Sequence, residues 1–207
     1  MMIFLPAAIA GYLLGSLNSS MIVGKFYGID IRKHGSGNAG TTNTLRTLGK
    51  KAALFVLAGD LLKGVLAYLI GFYISGNPMG GMIGGLAAII GHNWPLYFGF
   101  KGGRGVLTSL SVLLMMDWKI ALVLLGVFAI IVALTRYVSL GSIIGAALFP
   151  VLSLLLGRDL VYIIFSAIIA IMIIILHNDN IKRLLSGTES KLGAKKQKDA
   201  GQEDQNA

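Results

Sequence analysis

Apolar runs close to twenty residues long recur along almost the whole chain, and no other feature limits its fold as strongly. A helix of that length crosses a hydrocarbon core of about 30 Å. Inside that core every backbone polar group must find its partner within the segment, which a helix provides. Composition agrees: 55% of residues are hydrophobic and 13% charged, whereas a soluble domain carries about 25% charged residues. The expectation is therefore an all-α integral membrane protein, a single bundle of about seven transmembrane helices. The runs lie near residues 3–23, 52–74, 79–98, 106–117, 119–135, 138–156 and 159–177. The fourth is short for a full crossing: it starts inside the preceding glycine loop, or is tilted and partly sheltered by protein, or is re-entrant, and in that last case five or six spans remain. Glycine pairs at small-xxx-small spacing, such as Gly11 with Gly15 and Gly80 with Gly84, suit close helix packing in lipid.

The formal charge of +9 would suit a nucleic-acid binder, but the basic residues flank the apolar runs rather than forming a soluble face, so no nucleic-acid partner is expected. Their distribution is better read as topology. Fifteen of the 18 Lys and Arg fall after the first, third, fifth and seventh runs, two (Lys119 and Arg158) lie on the other side, and Lys63 is inside a run. By the positive-inside rule the N-terminus is outside and the C-terminus cytoplasmic. The expected site is thus a multi-pass protein of the cell (plasma) membrane with its active face toward the cytoplasm. The first residues carry no positive n-region, so the first run is expected to remain as a span rather than be removed as a signal peptide. Residues 1–189 are read as one catalytic membrane domain and 190–207 as a polar, disordered cytoplasmic tail. The chain has no cysteine, which excludes disulfides and thiolate nucleophiles.

Two polar segments interrupt the apolar pattern on the cytoplasmic side. The first, residues 35–46, holds Ser36, Asn38, Gly40, Thr42 and Asn43 and ends at Arg46. Glycines let backbone N–H groups approach an anion, and Arg can bind an oxyanion with two parallel hydrogen bonds. The second, Lys101-Gly102-Gly103-Arg104-Gly105, has the basic residues that any span flank carries, but also three glycines in four positions. It lacks the spacing of a Walker A loop. Trp94 and Tyr97 before it suit interfacial anchors. Asp60 and Lys63, three apart within the second run, share a helix face and are either a functional pair or an ion pair that fixes the bundle. His177 ends the last run and Asn180 follows one helical turn later. His177 suits either a general base or a capping and positioning group. No zinc-type histidine pattern is present, and Ala39, Tyr97 and Lys182 stand five residues after the three histidines. The His-x-x-x-x-Asp pattern of acyl-CoA acyltransferases is therefore missing.

Taken in order, these segments resemble the bacterial acyl-phosphate:glycerol-3-phosphate acyltransferase family. Its first motif is matched by Gly35, Ser36, Gly37, Asn38, Gly40, Thr42, Asn43 and Arg46. Its second is matched by Gly91, His92, Pro95, Phe100, Lys101, Gly102, Gly103, Gly105 and Val106, with Arg104 where the family has lysine. Its third is matched by His177, Asn180, Ile181, Arg183, Leu184, Gly187 and Glu189, and Ser139 and Ser142 fit the family's serine pair. The resemblance implies transfer of a fatty acyl group from acyl phosphate to the 1-hydroxyl of glycerol 3-phosphate, giving 1-acyl-glycerol 3-phosphate (lysophosphatidic acid) and phosphate. That is the first step of bacterial phospholipid synthesis. It implies no cofactor and no metal. On it, His177 and Asn180 act at the reacting hydroxyl. Ser36, Asn38, Gly40, Thr42, Asn43, Arg46, Lys101, Gly102, Gly103, Arg104, Ser139 and Ser142 bind substrate, with the backbone N–H groups of Gly102 and Gly103 holding an anion. Asp60, Lys63 and Glu189 are structural, Glu189 ordering the tail by pairing with a basic residue. The alternative from another class is an organic-phosphate transporter or exchanger, which suits glycine loops at helix ends but not polar groups gathered on one side.

Overall fold

The computed structural model describes residues 3–193, and every regular element in them is helical. The helices are α1 (Phe4–Ser16), α2 (Ser19–Phe26), α3 (Thr41–Leu48), α4 (Lys50–Ser75), α5 (Pro78–Asn93), α6 (Val106–Met116), α7 (Trp118–Thr135), α8 (Val138–Leu155), α9 (Leu160–Leu176) and α10 (Asn178–Leu185). Single 3-10 turns at Ile31–Lys33 and Leu96–Phe98 shape the two polar loops.

The first apolar run breaks between α1 and α2, where Asn18 caps α2 by accepting a hydrogen bond from the Met21 N–H at 3.1 Å. Four helical stretches are long and apolar enough to cross a bilayer: Phe4–Phe26, Lys50–Ser75, Trp118–Thr135 and Val138–Leu155. A fifth is reached if α9 and α10, bent by 58° at their junction, count as one. By length and apolarity alone, the expected seven are thus four or five. The third expected span stops at Asn93 rather than continuing to residue 98, because Trp94–Gly105 leaves the helix as a loop. The fourth, α6, has only 11 residues. Both shorter helices are sheltered within the bundle.

Glycine decides the packing of the first half. A Cβ on Gly11 would run into the Gly84 carbonyl, and one on Gly15 into the Ala88 carbonyl, so α1 and α5 meet backbone to backbone. Gly71 of α4 meets Gly80 of α5 in the same way. The second half packs by ordinary side-chain interdigitation around Val112, Leu113, Ile120, Phe149, Phe165 and Ile169. Large apolar residues such as Leu54, Phe55, Tyr73, Leu134 and Leu155 point outward, as a lipid-facing surface requires.

One end of the bundle collects the polar loops. The opposite end is held by Asp117, which caps α7 and pairs with Arg158 across the turn before α9.

Candidate active site

The first polar loop is built around a buried amide. Asn43, on the first turn of α3, donates from Nδ2 to the carbonyls of Ile31 (3.1 Å) and His34 (2.9 Å). Its Oδ1 accepts the Ser36 N–H at 2.8 Å. Asn43 is 1% exposed, so this amide shapes the loop from beneath. Gly35 turns the chain in the left-handed region (φ 61°), and a Cβ there would strike Asn43 Oδ1. Ser36 stays exposed, Asn38 and Thr42 are half-buried, and Gly40 precedes α3 as its N-cap.

The second loop hangs from the end of α5. The N–H groups of Gly102 and Gly103 donate to the carbonyls of Asn93 and His92, each at 3.1 Å. This corrects the expectation that these two N–H groups hold an anion: they close the C-terminus of α5 instead. The two glycines are needed for closeness, since a Cβ on Gly102 would strike the His92 carbonyl and one on Gly103 the His92 ring. Lys101 is exposed, and its carbonyl accepts from Arg32 at 3.3 Å. Arg32 also donates to the Phe98 carbonyl at 2.9 Å and pairs with Asp30 at 2.9 Å, so it ties the two loops together.

Three guanidinium groups converge beside these loops. Arg104 donates from Nε to the Leu176 carbonyl at the end of α9, at 3.0 Å. Burial, and then the charges of Arg183 and Arg46, push it down to about 10, against the pull of Glu189 and Asp179. Arg46 is likewise lowered, by burial first and by Arg183, while Glu189 opposes the shift. Glu189 is the carboxylate hydrogen-bonded into the centre. Glu189 accepts at Oε1 from Ser139 Oγ and Asn180 Nδ2, both at 2.7 Å, and at Oε2 from Arg183 Nε at 2.7 Å. Burial works against its charge, but these hydrogen bonds outweigh burial and hold its carboxyl below the usual range. Arg46 reaches the Ser190 carbonyl at 2.9 Å, and Arg136 reaches that of Leu192, also at 2.9 Å. The start of the expected tail is therefore tied across this face, while residues 194–207 lie outside the described residues.

His177 lies at the break between α9 and α10 and is buried. Its Nδ1 lies 2.8 Å from the Ile173 carbonyl, which can only accept, so Nδ1 carries the proton and Nε2 carries a lone pair. Asn180 Oδ1 is buried without a hydrogen-bond partner among the described residues. An electron-pair donor and a free amide oxygen thus stand next to an excess of positive charge.

An apolar groove opens at the same place. It runs between α6 (Val106, Leu110, Leu113), α7 (Leu124, Phe128), α8 (Gly145, Phe149) and α9 (Ile169, Ile173). Ser142, whose hydroxyl donates back to the Val138 carbonyl at 3.0 Å, marks its polar margin. Arg104 lies just before Val106, and Ile173 is the residue that holds His177, so the groove begins at the cationic centre.

Asp60 and Lys63 stand away from the guanidinium cluster as a buried pair 2.8 Å apart, joined by His92. Sequence reasoning missed this third member, as well as Asn18, whose amide reaches toward the carbonyls of Ala39 and His92 (3.4 and 3.5 Å). The signal for Asn18 was present as a helix-capping residue within an apolar run. Arg183 was visible only through its motif.

Residues 5–187 match the family described as glycerol-3-phosphate acyltransferase. A glycerol-3-phosphate acyltransferase of Thermoanaerobacter sp. (strain X514) is 49% identical over 189 residues, covering 91% of this chain and 95% of its own. That of Clostridioides difficile (strain 630) is 42% identical over 200 residues, covering 94% and 98%. Crystal structures of PlsY, an integral membrane glycerol 3-phosphate acyltransferase, are also similar. Its glycerol 3-phosphate form has TM-score 0.87 and 37% identity, over 92% of this chain and 96% of that one. Its lysophosphatidic acid form has TM-score 0.83 and 36% identity, over 91% and 94%.

Proposed function

The chain belongs to the glycerol-3-phosphate acyltransferase family, and from that premise we propose that it moves a fatty acyl group from acyl phosphate to the 1-hydroxyl of glycerol 3-phosphate. The observation that carries this reading is the meeting of an apolar groove with the Arg46, Arg104 and Arg183 cluster at one end of a membrane bundle. One substrate is a small dianion and the other a long chain with a phosphate head. The solved relative's glycerol 3-phosphate and lysophosphatidic acid forms support the same pairing of ligands.

In the proposed reaction the acyl chain lies in the groove and its head faces Arg104. Glycerol 3-phosphate is held through its phosphate by Arg46 and Ser36, and its hydroxyl is oriented by Asn180 and by the lone pair of His177 Nε2. The hydroxyl oxygen attacks the acyl carbonyl carbon, forming the ester C–O bond. The bond from that carbon to the anhydride oxygen breaks, and its electron pair leaves with inorganic phosphate. The hydroxyl proton leaves on the phosphate, so His177 positions the hydroxyl without having to end as imidazolium. Because acyl phosphate is already activated, placement and charge stabilisation supply most of the acceleration.

For topology we propose seven crossings, with α5 and α6 completing theirs inside the protein, the N-terminus outside and the site at the cytoplasmic surface. A transporter would place its binding groups near the midplane. The arginines, His177 and Asn180 instead gather where helices end.

The test compares donors with purified protein and labelled glycerol 3-phosphate. Palmitoyl phosphate should support formation of labelled 1-acyl-glycerol 3-phosphate, and palmitoyl-CoA should not. Equal or better use of palmitoyl-CoA would reject the donor assignment.

A further inference from the structure

The face of α8 that borders the apolar groove reads small, small, large. Gly141, Gly145 and Phe149 line it at i, i+4 spacing, so they share one stripe of the helix. A Cβ on Gly141 would strike the Phe128 ring, so this glycine lets α7 come close. A Cβ on Gly145 would meet nothing within 4 Å, so this one leaves space. Phe149 ends the stripe and is 3% exposed. Its ring stands edge-on to that of Tyr162 in α9, with centroids 6.0 Å apart and planes at 89°.

The other helices close the groove at the same level. Counted from the polar end, Leu113, Leu124 and Ile169 are the deepest lining residues of α6, α7 and α9. Beyond them Ile120, Ala121, Tyr162 and Phe165 are buried in the core and none of them borders the groove. The side is not closed. Leu125, the next residue of α7, lines the groove and is 40% exposed. From Ser142 to Phe149 α8 descends two helical turns, a depth of about 10 Å. An acyl chain of ordinary length spans half of a hydrocarbon core of roughly 30 Å, so the groove holds about two thirds of such a chain.

We propose that Phe149, backed by Tyr162, is the floor of the acyl site and determines the length of chain the protein measures. The part of the chain above Phe149 is held in the groove, and the remainder turns out past Leu125 into the bilayer. This rests on the acyl-transfer reading above. Decanoyl phosphate then just fills the groove, and palmitoyl phosphate overruns it.

Two measurements test this. The first uses the wild-type protein in lipid nanodiscs with non-reacting palmitoyl phosphonates that carry a diazirine at mid-chain or at the terminal carbon. On photolysis the mid-chain probe should label the groove floor at Leu113, Leu124 or Phe149. The terminal probe should label Leu125 or lipid. Terminal-probe labelling of Ile120, Tyr162 or Phe165, beneath the floor, would overturn the proposal, as would mid-chain labelling confined to residues outside the groove. The second measurement compares donors. The wild type should use decanoyl and palmitoyl phosphate with similar kcat/KM. Phe149→Ala opens space below the floor, so the palmitoyl-to-decanoyl ratio of kcat/KM should rise about tenfold, the scale on which an apolar pocket separates chains. Phe149→Leu, a milder truncation, should move the ratio the same way by less. A merely structural role would lower both rates alike, and an unchanged ratio in both variants would refute the assignment. Failure of the wild type to acylate glycerol 3-phosphate would reject the proposed reaction instead, and the photolabelling would still report where the chain lies.

Discussion

Arg46 carries the sharpest claim at the level of single residues. Among the described residues its guanidinium hydrogen-bonds only the Ser190 carbonyl, beside Arg104, Arg183 and the Glu189 carboxylate. Losing a charge-assisted contact to phosphate costs about 2–3 kcal/mol. Arg46→Ala should therefore reduce kcat/KM for glycerol 3-phosphate by roughly 30-fold or more, and Arg46→Lys should recover part of it, because a point charge loses the two-pronged geometry. Near-wild-type kinetics in a folded Arg46→Ala protein would contradict the role. His177 gives a second test. If it only positions the hydroxyl, His177→Gln should retain most of the turnover that His177→Ala loses. If it were the base, all such variants should fall by about 10²–10⁴-fold. Glu189 gives a pH prediction. Its folded pKa lies below the ordinary 4.5, so its contribution to stability is complete above that value and disappears as pH falls through the depressed folded pKa. Thermal unfolding should thus be insensitive to this group near neutrality, and Glu189→Gln should lower the melting temperature at pH about 7 more than under strongly acid conditions. The residues of the centre were legible because each sits in a short local pattern: Arg46 after a glycine loop, Asn180 one turn after His177. The Lys63–His92 contact was not, since it joins two helices whose relative rotation no spacing within either one sets. The role expected for the Gly102 and Gly103 N–H groups failed for a related reason. Their partners are the last carbonyls of α5, and where that helix stops depends on the fold.

Among the helices, the apolar runs marked the elements, and their ends too except in the first and third runs. The long runs matching α4, α7 and α8 were placed within a few residues, as expected for segments whose composition lipid dictates. Those matching α6 and α9 were placed as closely, whereas the first run breaks into α1 and α2 and the third reads past the end of α5 at Asn93. α5 is shielded by α1 and α4 through glycine contacts, so hydropathy does not mark its end. The same contacts predict fragility: Gly84→Val would push a side chain into the Ala67 carbonyl, and overpacking of this kind costs about 1–3 kcal/mol or more. A clearly lower melting temperature in detergent is expected, and an unchanged one would refute the backbone contact. Gly145 is the opposite case. It lines the groove, and a Cβ there meets nothing within 4 Å. Gly145→Phe should fold normally yet fill the groove, so that kcat/KM for palmitoyl phosphate falls about tenfold or more while an octanoyl donor is used nearly as before. Equal use of both chain lengths by that variant would place the acyl chain elsewhere.

In the molecule as a whole, a one-sided arrangement of polar groups suits the proposed reaction between a water-soluble and a lipid-soluble substrate. The loops that carry Arg46, Arg104 and Glu189 share one end of the bundle, and the Asp117–Arg158 pair holds the other. If the charge bias sets the orientation, Leu185→Cys, 84% exposed at the polar end, should resist an impermeant maleimide in intact cells, whereas Asn77→Cys should react. The absence of native cysteine makes each label unambiguous. On the proposed reading, one polar surface meets a water-soluble dianion and the groove behind it takes the acyl chain. The central claim is that these two regions form a single acyl-transfer site, and stoichiometry tests it most directly. Purified protein supplied with palmitoyl phosphate and labelled glycerol 3-phosphate should form 1-acyl-glycerol 3-phosphate and inorganic phosphate in a one-to-one ratio, with neither appearing when either substrate is omitted. Phosphate released at the same rate without glycerol 3-phosphate, or no acylated product with both substrates present, would contradict it.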